Sequence, residues 1–307
     1  MERQRLERLR DALRAACPAL ELRENEPLAK YTTFRVGGPA ALMALPRTEG
    51  EAQTALKAAR ALGVEPFFLG NGSNLLVPDE GYAGFVVKLA GELDQVRETG
   101  GGLEAGGGVL LSRLAAAAQA AGLAGLEFAG GIPGSVGGAV TMNAGAYDSD
   151  MSALVREVRC LTAEGETQVL PSQALDFSYR HSAFAGGGRL ILGATLELRP
   201  GNEGDIRALM DDLGSRRRHK QPLDLPSAGS IFKRPKGYYA AALIDECGLK
   251  GTTVGGAQVS KKHAGFIVNM DKATCADVLQ LAELVRETVL RETGVAMELE
   301  VRTLGPV

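Results

Sequence analysis

The chain has 307 residues, with 34 basic against 37 acidic side chains and a net charge of −3. That length exceeds what one hydrophobic core usually organises, so more than one domain is expected, and the near-balanced charge excludes a general attraction to nucleic acid or to an anionic membrane. The 40 glycines are roughly twice the usual share and gather in short loops, which argues for surfaces lined by backbone and not for low complexity.

In chain order, Leu6, Leu9, Leu13 and Ala16 recur at helical spacing in a charged stretch, so residues 1–16 read as a surface helix with one apolar stripe. A second helix is predicted from Glu49 to Leu62, with Thr48 as its cap, Glu51 as the capping-box partner and Gly63 as its stop. The apolar run Pro66–Leu69 leads into Gly70-Asn71-Gly72-Ser73-Asn74, and Leu75-Leu76-Val77 leaves it. A Rossmann unit would turn from such a loop into a helix and carry GxGxxG, so this strand-loop-strand pattern disfavours that fold. A strand over Gly84–Leu89 follows, and Ser112 is placed as the cap of an alanine-rich helix ending at Gly122.

The second glycine loop is Gly130-Gly131-Ile132-Pro133-Gly134-Ser135-Val136-Gly137-Gly138. Loops of this kind present successive N–H groups with no side chain in front of them and suit a phosphate or diphosphate. Strands are predicted at Val155–Leu161, Gln168–Leu170 and Leu190–Leu198. Asn202 and Asp205 open a helix through about Ser215, and a domain boundary is placed near residue 200. Thr274–Glu292 reads as a helix with Gly294 as its stop, and Val295–Leu304 as a strand.

Cys17, Cys160, Cys247 and Cys275 are far apart and share no metal spacing with His181, His219 and His263, so buried free thiols and no metal site are expected. With no signal-like core at the N-terminus and no apolar run of about 18 residues, the expectation is a soluble cytoplasmic protein without membrane insertion.

Polar residues beside apolar ones mark Phe177–Ser182, Ala228–Pro235 and Glu298–Arg302, each a weak signal alone. Tyr31-Thr32-Thr33-Phe34-Arg35-Val36-Gly37-Gly38, the two glycine loops, Asn143-Ala144-Gly145-Ala146-Tyr147, Tyr179-Arg180, Ala228-Gly229-Ser230, Val254–Ala257, His263–Phe266 and Glu300-Val301-Arg302 are more specific in their order. Over residues 28–305 that order resembles the UDP-N-acetylenolpyruvoylglucosamine reductase family.

The resemblance implies an α+β architecture: a vanillyl-alcohol-oxidase-type FAD-binding domain over 1–200, of two subdomains divided near residue 90, then a C-terminal α/β substrate-binding domain over 201–307. It implies FAD held by Tyr31, Thr33, Arg35, Gly70, Asn71, Gly72, Ser73, Asn74, Gly130, Gly131, Ile132, Pro133, Gly134, Ser135, Gly137, Gly138, Asn143 and Gly145. The implied reaction is NADPH-dependent reduction of UDP-N-acetylglucosamine enolpyruvate to UDP-N-acetylmuramate, by a monomer. Arg180 would polarise the substrate carboxylate, Glu300 would favour the enol-like intermediate, and Ser230 would deliver the proton. Tyr179, Lys220, Gly229 and Lys262 would bind substrate. The family's longer form carries a tyrosine loop after the Tyr-Arg segment. Here the chain runs from Phe184 almost directly to the strand at Leu190, so the loop is expected to be absent and Tyr238, Tyr239 or Lys262 to take the diphosphate. Two other readings stay open: a flavin oxidase, which would consume oxygen without NADPH, and a flavin-carrying sensor, which would bind without turnover.

Overall fold

The computed structural model describes residues 2–305. The chain divides into two compact units, one made of Met1–Asn25, Ala41–Asn71 and Ala83–Ser215, the other of Glu26–Ala40, Gly72–Tyr82 and Arg216–Val307.

The first unit holds two cores. In one, helix α1 (Glu2–Ala16) buries Leu6, Leu9 and Leu13 against helix α2 (Glu49–Ala61), which buries Ala52, Ala55, Leu56 and Ala59. Ala16, expected on the same stripe, is exposed because the helix ends there. The Thr48 hydroxyl caps α2 by accepting from the Glu51 N–H. Glu51 reaches back one residue further than a capping box requires, to the Arg47 N–H at 2.7 Å. Both helices pack on a four-stranded sheet ordered Glu21–Pro27, Pro39–Leu45, Tyr82–Val87, Pro66–Phe68, whose last two strands run parallel. The first two strands escape prediction; Glu21–Pro27 carries charges and a single leucine and has no apolar face to read.

The second core lies under an antiparallel five-stranded sheet ordered Thr167–Pro171, Val155–Leu161, Leu190–Glu197, Gly102–Gly106, Val96–Thr99. Helix α3 (Leu111–Ala120) and helix α4 (Val136–Thr141) cover it with Leu111, Leu114, Ala115, Val136 and Val140. Ser112 does not cap α3. Leu110 takes the N-cap position without a side-chain bond, and the Leu111 N–H donates to the Gly134 carbonyl at 2.9 Å, so the second glycine loop does what a cap would do. The end of that loop is itself helical, as the Ser135 hydroxyl caps α4 by accepting from the Gly138 N–H. Helix α5 (Glu203–Lys220), opened by Asn202, runs five residues past the expected Ser215, since nothing before Pro222 breaks it; the division into units falls within it.

The second unit is built on helix α6 (Ala240–Glu246), which the sequence analysis did not separate from its surroundings, and helix α7 (Cys275–Thr293). Thr274 and Asp277 form a full capping box, Gly294 ends α7 in the left-handed region, and Val278, Leu281, Ala282, Val285 and Val289 are buried. These residues pack on the antiparallel strands Thr253–Val254, Ala257–Val259 and Ile267–Asn269. The strand expected over Val295–Leu304 shrinks to Arg302–Thr303, parallel to Leu75–Leu76, because residues 298–300 bond instead to the irregular segment 231–233. All four cysteines are free thiols, but only Cys160 and Cys275 are buried, Cys17 and Cys247 being half-buried. Burial pushes the Cys275 thiol up to about 11, so it stays protonated and inert at neutral pH. Among the described residues no helix is long and apolar enough to cross a membrane.

Candidate active site

In the first unit the structure brings the two glycine loops together. The Asn71 side-chain amide donates to the Pro133 carbonyl at 2.5 Å, and a Cβ placed on Gly70 would stand 2.5 Å from the Ser135 hydroxyl, so the loops are in close contact there. The Gly134 and Ser135 residues are buried, yet among the described residues no protein acceptor takes up their N–H groups; the same holds for the N–H groups of Asn71 and Gly131. A buried unpaired N–H costs about 1–3 kcal/mol, and an anionic oxygen would relieve it. This donor set fits the diphosphate of a dinucleotide cofactor. Nearby, the Lys88 ammonium donates to the Gly70 carbonyl at 2.8 Å, while burial lowers its pKa and Asp94 opposes that shift. Lys88 was missed in the sequence; its one signal is a lysine directly after the strand run Gly84–Val87, every residue of which is buried.

Other expected cofactor residues are occupied locally. Both amide N–H bonds of Asn143 are used, to Asp150 and to the Ser178 carbonyl, each at 3.2 Å. Gly145 pairs with Asp150 in a two-residue hairpin whose central Tyr147 and Asp148 both have positive φ, the signature of a type I′ turn. Arg180 sits in the same unit at φ 57°, in a turn closed by mutual Ser178 and His181 backbone bonds of 3.2 Å. Its guanidinium lies 5.2 Å from the Tyr179 ring centroid, and Tyr179 is exposed.

In the second unit, the Gly72 carbonyl accepts from the Thr33 N–H, the Thr33 hydroxyl donates to the Ser227 carbonyl at 2.7 Å, and the Tyr31 hydroxyl donates to Glu26. Arg35 is exposed at φ 56°. Ser73 is half-buried beside Asn74, whose amide donates to the Glu300 carbonyl at 3.0 Å. Gly229, at φ 77°, precedes Ser230, which pairs with Phe266. The Ile231 N–H donates to the Gly265 carbonyl and its own carbonyl accepts from the Glu300 N–H, both at 2.9 Å. Ser230 and Glu300 are thereby fixed on neighbouring backbone segments. The Ser230 hydroxyl makes no hydrogen bond among the described residues, so it is not spent on structure. Lys220 is exposed at the end of α5, whose Arg218 carbonyl accepts from Lys262 Nζ at 2.6 Å. Tyr238 and Tyr239 are 49% and 63% exposed, and Arg234 stacks 3.9 Å over the Tyr239 ring. Among the described residues no group of side chains suits a metal ion.

His263 shapes the turn that faces Ser230. Its Nδ1 accepts from the Gly265 N–H at 3.2 Å, which requires a neutral ring, and its ring meets Phe266 edge-on. Burial lowers its pKa from the ordinary value of 6.5, with Lys250 and Lys220 acting the same way. The unfolded chain therefore takes the proton first, so this contribution to stability is complete above the ordinary value and is lost as pH falls through it toward the lower folded-state value. Thermal unfolding followed from pH 7.5 down to about 5 should show that loss, and His263→Asn, which keeps an acceptor and does not titrate, should flatten it. An unchanged profile in the variant would assign the pH dependence elsewhere.

Comparison with known proteins gives consistent likenesses. Residues 221–304 match the family model described as UDP-N-acetylenolpyruvoylglucosamine reductase, C-terminal domain, and residues 40–170 match an FAD binding domain. The chain is 46% identical over 290 residues to the UDP-N-acetylenolpyruvoylglucosamine reductase of Pediococcus pentosaceus, covering 94% of this chain and 96% of that one. It is 44% identical to that of Clostridioides difficile, covering 93% and 94%. Among solved structures it is similar to the UDP-N-acetylenolpyruvylglucosamine reductase of Thermus caldophilus, with a TM-score of 0.80, 37% identity and coverage of 93% and 99%. It also resembles 4-ethylphenol oxidase from Gulosibacter chungangensis, with a TM-score of 0.51 and 16% identity over 96% of this chain and 65% of that one, a likeness of fold alone.

Proposed function

The chain belongs to the UDP-N-acetylenolpyruvoylglucosamine reductase family, and from that membership we propose that it reduces UDP-N-acetylglucosamine enolpyruvate to UDP-N-acetylmuramate with NADPH, Ser230 supplying the proton. It is an FAD-containing oxidoreductase of peptidoglycan precursor synthesis. When bound, FAD supplies hydride transfer from NADPH to the terminal carbon of the enolpyruvyl double bond. In this reading Asn71, Gly131, Gly134 and Ser135 hold its diphosphate through backbone N–H groups, supported by their unpaired donors. The flanking members of the two loops, Gly70, Gly72, Ser73, Asn74, Gly130, Ile132, Pro133, Gly137 and Gly138, set the loop paths, with Tyr31, Thr33 and Arg35 lining the cofactor.

The protein's own part is to manage the charge that the added hydride creates. Negative charge develops on the carbon that bears the carboxylate and the ether oxygen. Arg180 takes that carboxylate through the parallel hydrogen bonds a planar guanidinium can offer, and Glu300 favours the enol-like intermediate. Ser230 then gives its hydroxyl proton to the charged carbon, which turns the enol ether into the lactyl ether, and the serine regains a proton from solvent. A serine is a weak acid, so this transfer demands a strongly basic acceptor and close positioning. Lys220 assists at Ser230, while Gly229 gives the chain the turn that presents it. Tyr179, Lys262 and the exposed pair Tyr238 and Tyr239 meet the nucleotide.

The observation that carries this reading is a serine hydroxyl free of internal hydrogen bonds, on a segment tied by backbone to Glu300. Incubation with the enolpyruvyl nucleotide and NADPH should yield a product heavier by two hydrogens, with no oxygen uptake. Oxygen consumption without NADPH would favour an oxidase, and binding without product a sensor.

A further inference from the structure

Of eight non-glycine residues with positive φ among those described, five fall between Asn143 and Arg180. For Tyr147 and Arg180 that conformation costs roughly 1–2 kcal/mol, and less for Asn143, Asp148 and Asp176, whose short polar side chains tolerate it, so the surroundings of the first two must hold them in place. Three side chains do this. Asn143, 4% exposed, donates to Asp150 and to the Ser178 carbonyl, and its carbonyl oxygen accepts from the Ser152 N–H at 2.9 Å. Asp150 in turn accepts from the Ser152 N–H at 3.1 Å. Ser182, 1% exposed, donates to the Thr141 carbonyl at 3.0 Å and accepts from the Phe184 N–H. Ser178 and Ser182 bracket Tyr179, Arg180 and His181, and both are anchored on residues 141–143. That stretch is the end of α4 and its continuation, and α4 begins in the glycine loop at Ser135.

We propose that Asn143 and Ser182 are positioning residues that lock the Tyr179–Arg180 turn onto the end of α4, so that the segment carrying the second glycine loop also aims the Arg180 guanidinium. The inference rests on the reading of Arg180 as the residue that takes the substrate carboxylate. Asn143 is the central member because its two donors join the strained hairpin to the strained turn. An aspartate of the same size cannot donate to the Ser178 carbonyl and would face Asp150 with like charge. Ser182→Ala removes the second anchor at little cost in volume.

The test uses the flavin-loaded full chain. In Asn143→Asp and Ser182→Ala, hydrogen exchange at the His181 amide, which bonds to the Ser178 carbonyl, should quicken, and in Ser182→Ala flavin content and the rate of bleaching by NADPH should stay at wild-type level. Recolouring by the enolpyruvyl nucleotide should slow by up to about a hundred-fold, the effect expected of a misplacement on the order of 1 Å. In an Arg180→Ala background the same substitutions should cost nothing more, because the group they aim is gone. Wild-type exchange and recolouring in both variants would overturn the lock, as would losses that add in full to that of Arg180→Ala. If Asn143→Asp does not fold, Ser182→Ala carries the same comparisons. Full turnover in Arg180→Ala would instead refute the role of Arg180, with hydrogen exchange still deciding whether the turn is locked.

Discussion

Ser230→Ala should bleach with NADPH at close to the wild-type rate and recolour with the enolpyruvyl nucleotide about a hundred- to ten-thousand-fold more slowly, the usual contribution of a positioned general acid. The asymmetry follows from where a proton is needed. Passage of hydride from NADPH to the cofactor asks nothing of Ser230, whereas completion of the product asks for a proton on the carbon beside the carboxylate. The substitution removes a hydroxyl that holds no other residue in place, and the segment remains fixed by the Ile231 bonds to Gly265 and Glu300. Ser230→Cys, a stronger acid of similar size, should recover part of the loss. Stopped-flow absorbance on the two half-reactions decides the matter: equal slowing of both would make Ser230 a structural residue, and no slowing of either would remove it from the mechanism.

Gly70→Val should yield a folded protein that purifies largely colourless. A Cβ at that position meets the Ser135 hydroxyl at 2.5 Å, and turning the serine away gives up its cap on α4 through the Gly138 N–H. Either that cap is lost or the two loops move apart. Forcing extra atoms into a packed contact costs about 1–3 kcal/mol, which corresponds to roughly a five- to hundred-fold loss of FAD affinity when the strain falls on the binding loops. Reconstitution of apoprotein with FAD, followed by fluorescence quenching, measures the loss, and circular dichroism checks the fold. Wild-type affinity in a folded Gly70→Val protein would show that this contact does not shape the cofactor site.

Much of this was legible in the sequence because it is local. Thr48, Asn202, Thr274, Gly63 and Gly294 mark helix ends by capping chemistry that acts within four residues, and the structure places each at such an end. The order of the motifs was enough to indicate the family and the fold type. Ser112 was misread because the competing cap is not local: the Leu111 N–H finds its acceptor at Gly134, 23 residues away in the chain. The strand expected over Val295–Leu304 failed for a similar reason, as residues 298–300 bond to 231–233 across a separation that no periodicity records. The strand Glu21–Pro27 has no apolar face, and α6 is seven residues long, too short to show a helical stripe. At the site, the residue types were readable and their employment was not. Asn143 and Asn74 look alike as candidate ligands, yet the structure ties one to the Ser178 carbonyl and the other to the Glu300 carbonyl.

The central claim, reduction of an enolpyruvyl nucleotide by an NADPH-fed flavoenzyme, is tested most directly by anaerobic titration of the purified protein followed by visible absorption. The account predicts a yellow protein with about one FAD per chain, bleached by one equivalent of NADPH and recoloured by one equivalent of UDP-N-acetylglucosamine enolpyruvate in the absence of oxygen. A bleached protein that recolours only when oxygen is admitted would contradict it.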